Sequence, residues 1–325
     1  MRIGKISESV LKRSVLKKIQ PNREETICGA GIGIDCAVLS LGDKETAVSV
    51  QTVSGLPENV CRYAIYRALN NVAASGAEPV AVMLSLMLPA DTEETELKMI
   101  MDQAAKICSR EKVQITGGHT EVIETVKEAV VTAVGIGERA CGSSIYQGNA
   151  KPDQDIVVSK WIGLEGSVRL AREHADRLIS RYPERMIEEA EEFAKYFSVI
   201  PEAAIAASSG ASAMHDASQG GIFAALWELA ESTGIGLEID LKKIPVRQET
   251  IEICEFFGLN PYELSSTGCL LITTADGTGL AAALQKEGIP AVIVGRTTAG
   301  NDRVLYNEGE KRFLEPPKAD QMYNI

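Results

Sequence analysis

The stretch from Met214 to Asp240 constrains this chain most. It opens Met214-His215-Asp216-Ala217-Ser218-Gln219-Gly220-Gly221, passes through the mainly apolar run 222–230, and closes Glu231-Ser232-Thr233-Gly234-Ile235-Gly236. Asp216 or Ser218 is placed to cap a helix by accepting from its free N–H groups. Gly220 and Gly221 let the backbone come close to a ligand where a side chain would block it. The helix that follows has unpaired N–H groups and the positive end of a dipole, which suits an anion such as phosphate. Gly234 stops that helix, and Gly236-Leu237-Glu238-Ile239 reads as the strand it packs upon. A glycine pair before a helix is equally well a tight turn, so the loop alone does not settle a function.

The remaining chain alternates the two periodicities. Residues 7–19 have helical spacing, with Val10, Leu11, Val15, Leu16 and Ile19 on one side. A glycine-rich passage, Gly29-Ala30-Gly31-Ile32-Gly33, leads to strands over 36–41 and 46–51 joined at Gly42-Asp43-Lys44. Helical spacing over 59–75 ends at Gly76, an apolar strand covers 80–88, and a helix with acids in its first turn covers 92–109. A short strand at 113–115 runs into Gly117-Gly118-His119-Thr120-Glu121, and a strand over 128–137 closes the unit. Helices and strands in this order predict an α+β layer with the helices on one sheet face. Cys141 to Asp155 is rich in Gly, Ser, Asn and Pro, and the boundary falls there, giving domains 1–150 and 151–325. In the second part the patterns predict a strand at 155–159, a helix through 173 and a charged helix at 184–197. A further helix at 201–209, one at 248–257, a strand at 269–274, a helix around 278–286, and strands at 291–295 and 303–306 follow.

Composition excludes several classes. The 325 residues carry 33 basic and 45 acidic side chains, a net charge of −12, which argues against a nucleic-acid binder. No apolar run approaches the ~20 residues of a membrane helix. Seven scattered cysteines without a CxxC pair indicate neither zinc nor a disulfide framework and fit a reduced, cytoplasmic setting.

Several segments together resemble the PurM-type superfamily of aminoimidazole ribonucleotide synthetase, selenophosphate synthetase, thiamine monophosphate kinase and the hydrogenase maturation factor HypE. Gly31-Ile32-Gly33-Ile34-Asp35-Cys36-Ala37-Val38 is similar to its N-terminal acidic motif, and Ala68-Leu69-Asn70-Asn71-Val72-Ala73-Ala74-Ser75-Gly76-Ala77-Glu78-Pro79 to its helix motif. Thr116-Gly117-Gly118-His119-Thr120-Glu121 resembles its Gly-Gly-acid/His-Thr motif, and Asp216 to Gly221 its Asp-x-x-x-Gly-Gly loop. The branch most like this chain is the AIR synthase-related, HypE-like group. That resemblance implies a two-domain fold: a ferredoxin-like N-terminal sheet that carries helices on one face and dimerises, followed by an α/β domain. It also implies ATP and magnesium in a cleft between the Gly-rich segment, the first domain and the partner subunit. The chemistry implied is ATP-dependent phosphorylation of a carbonyl, amide or similar small acceptor, in which the protein mostly positions groups and neutralises charge.

Carried over residue by residue, the resemblance gives Asp35, His119 and Asp216 catalytic roles. Gly29, Gly31, Gly33, Gln51, Asn71, Gly117, Gly118, Gly220 and Gly221 would hold the nucleotide, and Asp35, Gln51 and Asn71 the metal. The chain departs from the pattern at Ile34, Gln51 and Asn71, where the family usually has carboxylates, and at His119, where many members have Asp. Three lost carboxylates weaken a hard-cation site. A catalytically degenerate sensor, scaffold or maturation partner is therefore the alternative. The chain ends Met322-Tyr323-Asn324-Ile325 without the tail cysteine of the HypE proteins that make the hydrogenase cyanide ligand, which argues that it is not the hydrogenase factor itself. On residue type alone, His215 reads as packing, Lys160 as solvated, and Cys36 as inert for want of a group that would lower its pKa.

Overall fold

The computed structural model describes residues 8–19, 24–142, 145 and 149–325. Ser7 and positions 143, 144 and 146–148 of the expected boundary segment lie outside the described residues. The chain begins with α1 (Glu8–Ser14), β1 (Thr26–Cys28), β2 (Ala37–Ser40), β3 (Lys44–Gly55), α2 (Val60–Ala74), β4 (Glu78–Leu88), α3 (Glu94–Arg110), β5 (Gln114–Val122) and β6 (Ala129–Ala140). The six strands form one sheet in the order β1-β2-β3-β6-β4-β5, antiparallel except for the β4/β5 pair. Alternation sets its faces. Ala47, Val53, Leu84, Leu86, Val131 and Ala133 point inward to a core with α2 and α3, while Val50, Met83 and Met87 stay exposed on the other side.

The second half follows with β7 (Asp155–Ser159), α4 (Leu164–Glu173), α5 (Ala175–Leu178), α6 (Glu184–Glu191), α7 (Ile200–Ser208), β8 (Ala211–Asp216), α8 (Gly221–Thr233), β9 (Gly236–Asp240) and α9 (Gln248–Phe257). It ends with β10 (Leu270–Thr274), α10 (Gly277–Lys286), β11 (Ala291–Thr298), β12 (Arg303–Asn307) and β13 (Glu310–Phe313). Its seven strands run β13-β12-β9-β11-β7-β10-β8, with only β9 and β12 parallel. Ile156, Val158 and Leu271 face α8, and Val157, Leu270 and Ile272 face α7 and α10. Covered on both faces, β7 and β10 read as unbroken apolar runs rather than alternating ones.

Helix α2 joins the halves. Fourteen of its fifteen residues are buried, the mark of a helix enclosed all round. Its buried Arg67 and Asn70 are both answered from elsewhere. Arg67 makes a two-pronged contact with Glu165 of α4, Nε to Oε2 at 2.9 Å and Nη2 to Oε1 at 2.5 Å, and Thr267 donates to the same carboxylate at 2.5 Å. Asn70 donates to the Phe197 carbonyl at 2.8 Å and accepts from the Val199 amide at 3.0 Å. Burial works against both charges of the Arg67–Glu165 pair. Their mutual attraction prevails, so the guanidinium pKa is raised and the carboxyl pKa lowered.

Four local readings change. The short strand expected at 113–115 continues to Val122 as β5. Gly117 and Gly118 are strand residues with φ of +154° and +153°, and a Cβ at Gly118 would strike the Leu84 backbone of β4. The helix expected over 184–197 tightens into a 3-10 turn after Glu191, with Phe193 and Phe197 both in the core. Neither Asp216 nor Ser218 caps α8, whose N-cap is Gly220 in the left-handed region with no side-chain cap. Lys160 is not solvated. It is 6% exposed, paired with Glu202, and donates to the carbonyls of Tyr196 at 2.8 Å and Ser198 at 2.6 Å. Strands β1, β8 and β13 had no clear alternation to announce them. Among the described residues, no helix is long and apolar enough to cross a membrane.

Candidate functional site

A cleft of about 910 Å³ opens where the glycine-rich segment meets both halves. One wall is the rim 30–37, a second is β3 at Ser49 and Gln51 with Asn71 of α2, and a third is Trp227 and Glu228 of α8. Helix α1 and residues 316–318 complete the mouth. The rim reaches α8 because position 33 is glycine. Its φ is +68°, and a Cβ there would overlap the Glu228 carbonyl oxygen. Helix α1 buries no residue and is held by polar contacts instead. Lys12 bonds Glu231 at 2.9 Å, and Glu8 accepts from Trp227 Nε1 at 3.2 Å. The Arg303 guanidinium lies 3.8 Å from the centre of the Trp227 indole, a cation–π contact that fixes the ring at the cleft wall.

A charged row runs from this wall into the interior. His215, on β8 and 1% exposed, places Nδ1 2.8 Å from Oδ2 of Asp35 and Nε2 3.1 Å from Oε2 of Glu228. Burial alone would lower the imidazole pKa, but the Asp35 charge and the hydrogen bonds to Asp35 and Glu228 push it up to about 10. The ring is therefore an imidazolium at neutral pH. Next to it in sequence, Asp216 is 4% exposed, and neither of its oxygens makes a hydrogen bond of ordinary geometry among the described residues. Burial first, then the Asp35 charge, raise this carboxyl to about 8, against the opposing pull of His215, Arg67 and the Ser218 hydroxyl. A buried acid that exchanges its proton near neutrality is what proton transfer requires.

The residues singled out in the sequence divide into three groups. Gly31, Gly33, Asp35, Gln51 and Asn71 line the common cleft, with Gly29 just outside its wall. Asp216 lies behind the cleft, at the end of β8. Gly117, Gly118 and His119 are on β5, three strands from β3 in the sheet order, about 14 Å at the usual strand spacing. There His119 is exposed and 3.3 Å from Glu121. Gly220 and Gly221 are not among the cleft-lining residues. The Gly220 N–H donates to Asp320 Oδ2 at 2.7 Å, and a Cβ on Gly221 would press on the carbonyls of Tyr262 and Leu264. His215, Glu228 and Trp227 had been passed over. The available signal was Glu228, a lone carboxylate inside the apolar run of α8, thirteen positions after a histidine.

The donors in the cleft do not fit a divalent ion held by the protein. The Asp35 carboxylate faces His215, and Asn71 and Gln51 offer only neutral carbonyl oxygens, which bring no charge to offset metal dehydration. No group of three His, Cys, Asp or Glu side chains suited to a metal occurs among the described residues.

Residues 33–138 match the family model described as AIR synthase related protein, N-terminal domain, and residues 151–307 match its C-terminal domain. A Methanocaldococcus jannaschii protein assigned to hydrogenase expression and formation is 30% identical over 284 residues, 82% of this chain and 78% of that one. The carbamoyl dehydratase HypE of Rhodobacter capsulatus is 27% identical over 276 residues, 82% of this chain and 79% of its own. Among solved structures, the HypE–HypF complex superposes with a TM-score of 0.77 at 20% identity, covering 94% of this chain and 99% of that one. HypE in complex with ATP superposes with a TM-score of 0.71 at 18% identity, covering 96% and 95%. At these identities the superpositions show the fold.

Proposed function

Because this chain belongs to the AIR synthase-related family, we propose that it is a HypE-like enzyme that binds ATP in the cleft and phosphorylates the oxygen of a carbamoyl, carboxamide or similar small acceptor. One observation carries this reading. The cleft of about 910 Å³ is walled by both halves, and two of its wall carboxylates, Asp35 and Glu228, are joined through the buried His215 directly behind them. The ATP complex of a HypE and the dehydratase relative support the choice of nucleotide and acceptor class.

In the reaction, the acceptor oxygen attacks the γ-phosphorus and ADP departs. The oxygen, now a phosphate ester, has become a good leaving group. From a primary amide, loss of the N–H protons and of phosphate yields a nitrile. The rim at 30–37 would hold the phosphates through its backbone, with Trp227 fixed at the wall beside it. The His215 imidazolium and Lys12 offset part of the charge that triphosphate brings next to Asp35. Asp216, behind the wall with its pKa near 8, is suited to exchange a proton near neutrality. The two domains are read as 1–150 and 151–325.

The exposed outer face of the first sheet, with Val50 60% and Met83 42% exposed, supports a homodimer formed through the N-terminal half. His119 on β5 would reach a cleft only across such a dimer.

Calorimetric titration with ATP, followed by incubation with an ¹⁸O-labelled primary amide or carbamoyl compound, tests the reading. Saturable binding and ¹⁸O appearing in inorganic phosphate are expected. Absence of nucleotide binding would refute it, and binding without acceptor-dependent ADP release would favour the sensor or scaffold instead.

A further inference from the structure

We infer that His215 is a positioning residue of the cleft, whose ring ties Asp35 of the glycine-rich rim to Glu228 of α8 and thereby fixes the rim on the second half. The inference rests on the nucleotide cleft proposed above and assigns it a part that none of the wall residues supplies. His215 is not in the wall. It comes from β8 in the interior of the second half, while both carboxylates it touches belong to the wall.

The geometry specifies what the ring does. Each ring nitrogen faces a carboxylate oxygen, at 2.8 Å and 3.1 Å. A neutral imidazole has one N–H, so it would leave a lone pair facing a carboxylate on one side. Both contacts are attractive only when both nitrogens donate. A ring held this way has no nitrogen left to accept a proton, which separates His215 from a general base. Without it, two partly buried carboxylates from different halves would lose the ring that joins them across the seam. Among the described residues, the titratable groups acting on the ring include Asp35 from the rim, Glu228 from α8 and the adjoining Asp216 from β8.

A second, independent contact acts at the same place. The Gly33 backbone sits against the carbonyl of Glu228 and the side chain of Ser232. One residue of α8 therefore meets the rim twice, through its main chain under Gly33 and through its carboxylate by way of His215 to Asp35. The charged link sets the direction of approach, and the glycine contact sets its distance. The rim amides that would face phosphate take their position from this pair.

The test compares ATP affinity in wild type, His215→Gln and His215→Phe. A control variant, Thr250→Val, removes a buried hydroxyl bonded to Ser167 Oγ at 2.8 Å away from the cleft. Both His215 variants should bind ATP at least about tenfold more weakly, with amides 30–37 exchanging faster with solvent. Thr250→Val should lower thermal stability and leave ATP affinity within twofold. In wild type, NMR should detect protons on both ring nitrogens of His215. Wild type that binds ATP together with a folded His215→Gln that binds equally well would overturn the clamp and leave the nucleotide reading standing. Wild type that does not bind would overturn the nucleotide reading. In that case, or if the variants fail to fold, the ring-nitrogen protons and the exchange of 30–37 in Gly33→Ala still decide the clamp. A single ring proton, or no faster exchange, would refute it.

Discussion

Nδ1 of His215 lies 2.8 Å from Oδ2 of Asp35, joining residues 180 positions apart and from opposite halves of the molecule. The same ring reaches Glu228, so one buried cation closes the seam along which the cleft opens. Its energetic consequences are as specific as its geometry.

Stability should fall as pH rises through the neutral range. The His215 pKa is raised on folding from an ordinary 6.5 to about 10, so its contribution is complete below pH 6.5 and is lost as pH climbs toward 10. The Asp216 pKa is raised from 3.8 to about 8. Here the folded state also holds the proton more tightly, and stability declines between those two values. Both slopes have the same sign between pH 6.5 and 8. Melting curves at pH 6, 7.5 and 9 should show a steady decrease. Asp216→Asn should raise the melting temperature at pH 9 and change it little at low pH.

The Arg67–Glu165 pair fastens α2 to α4 with both side chains almost fully buried. Arg67→Met strands a buried carboxylate and should cost about 3–5 kcal/mol in urea denaturation. The double variant Arg67→Met, Glu165→Met should cost clearly less than the sum of the two single changes.

Gly33→Ala places a methyl group against the Glu228 carbonyl in a left-handed backbone conformation. The strain should destabilise the fold by about 1–3 kcal/mol. Because the rim must lift off α8 to make room, ATP affinity should fall more than a surface substitution of equal stability cost would cause. Paired melting and titration experiments compare the two.

Gln51→Asp with Asn71→Asp returns two carboxylates to the wall that already holds Asp35. Manganese affinity should rise, and ATP should bind more tightly with magnesium present and more weakly in chelator, since uncompensated charge then repels phosphate. Unchanged affinity in both conditions would place these side chains away from the phosphates.

Much of the fold was legible because its elements carry their own signals. The helix end at Gly234, the unbroken apolar runs of β7 and β10, and the acids that open α3, where the Glu93 amide bonds Glu96 Oε2 at 2.8 Å, are all local. The seam was not. A histidine buried between Asp35 and Glu228 looks like any core histidine in sequence, because its partners are set by how the two halves dock. Lys160 was misread for the same reason, since its partners Tyr196, Ser198 and Glu202 come from the 3-10 turn, the loop after it and α7. The glycine pairs at 117–118 and 220–221 illustrate a further limit. Glycine reports that a backbone must pass close to something, and in both places the near neighbour includes another stretch of this chain.

A crystal soaked with a non-hydrolysable ATP analogue tests the account most directly. It predicts the triphosphate against residues 30–37 with Trp227 and Glu228 at its side, and the His215 contacts to Asp35 and Glu228 unbroken. An analogue bound in another part of the molecule, with this cleft vacant at saturating concentration, would contradict it.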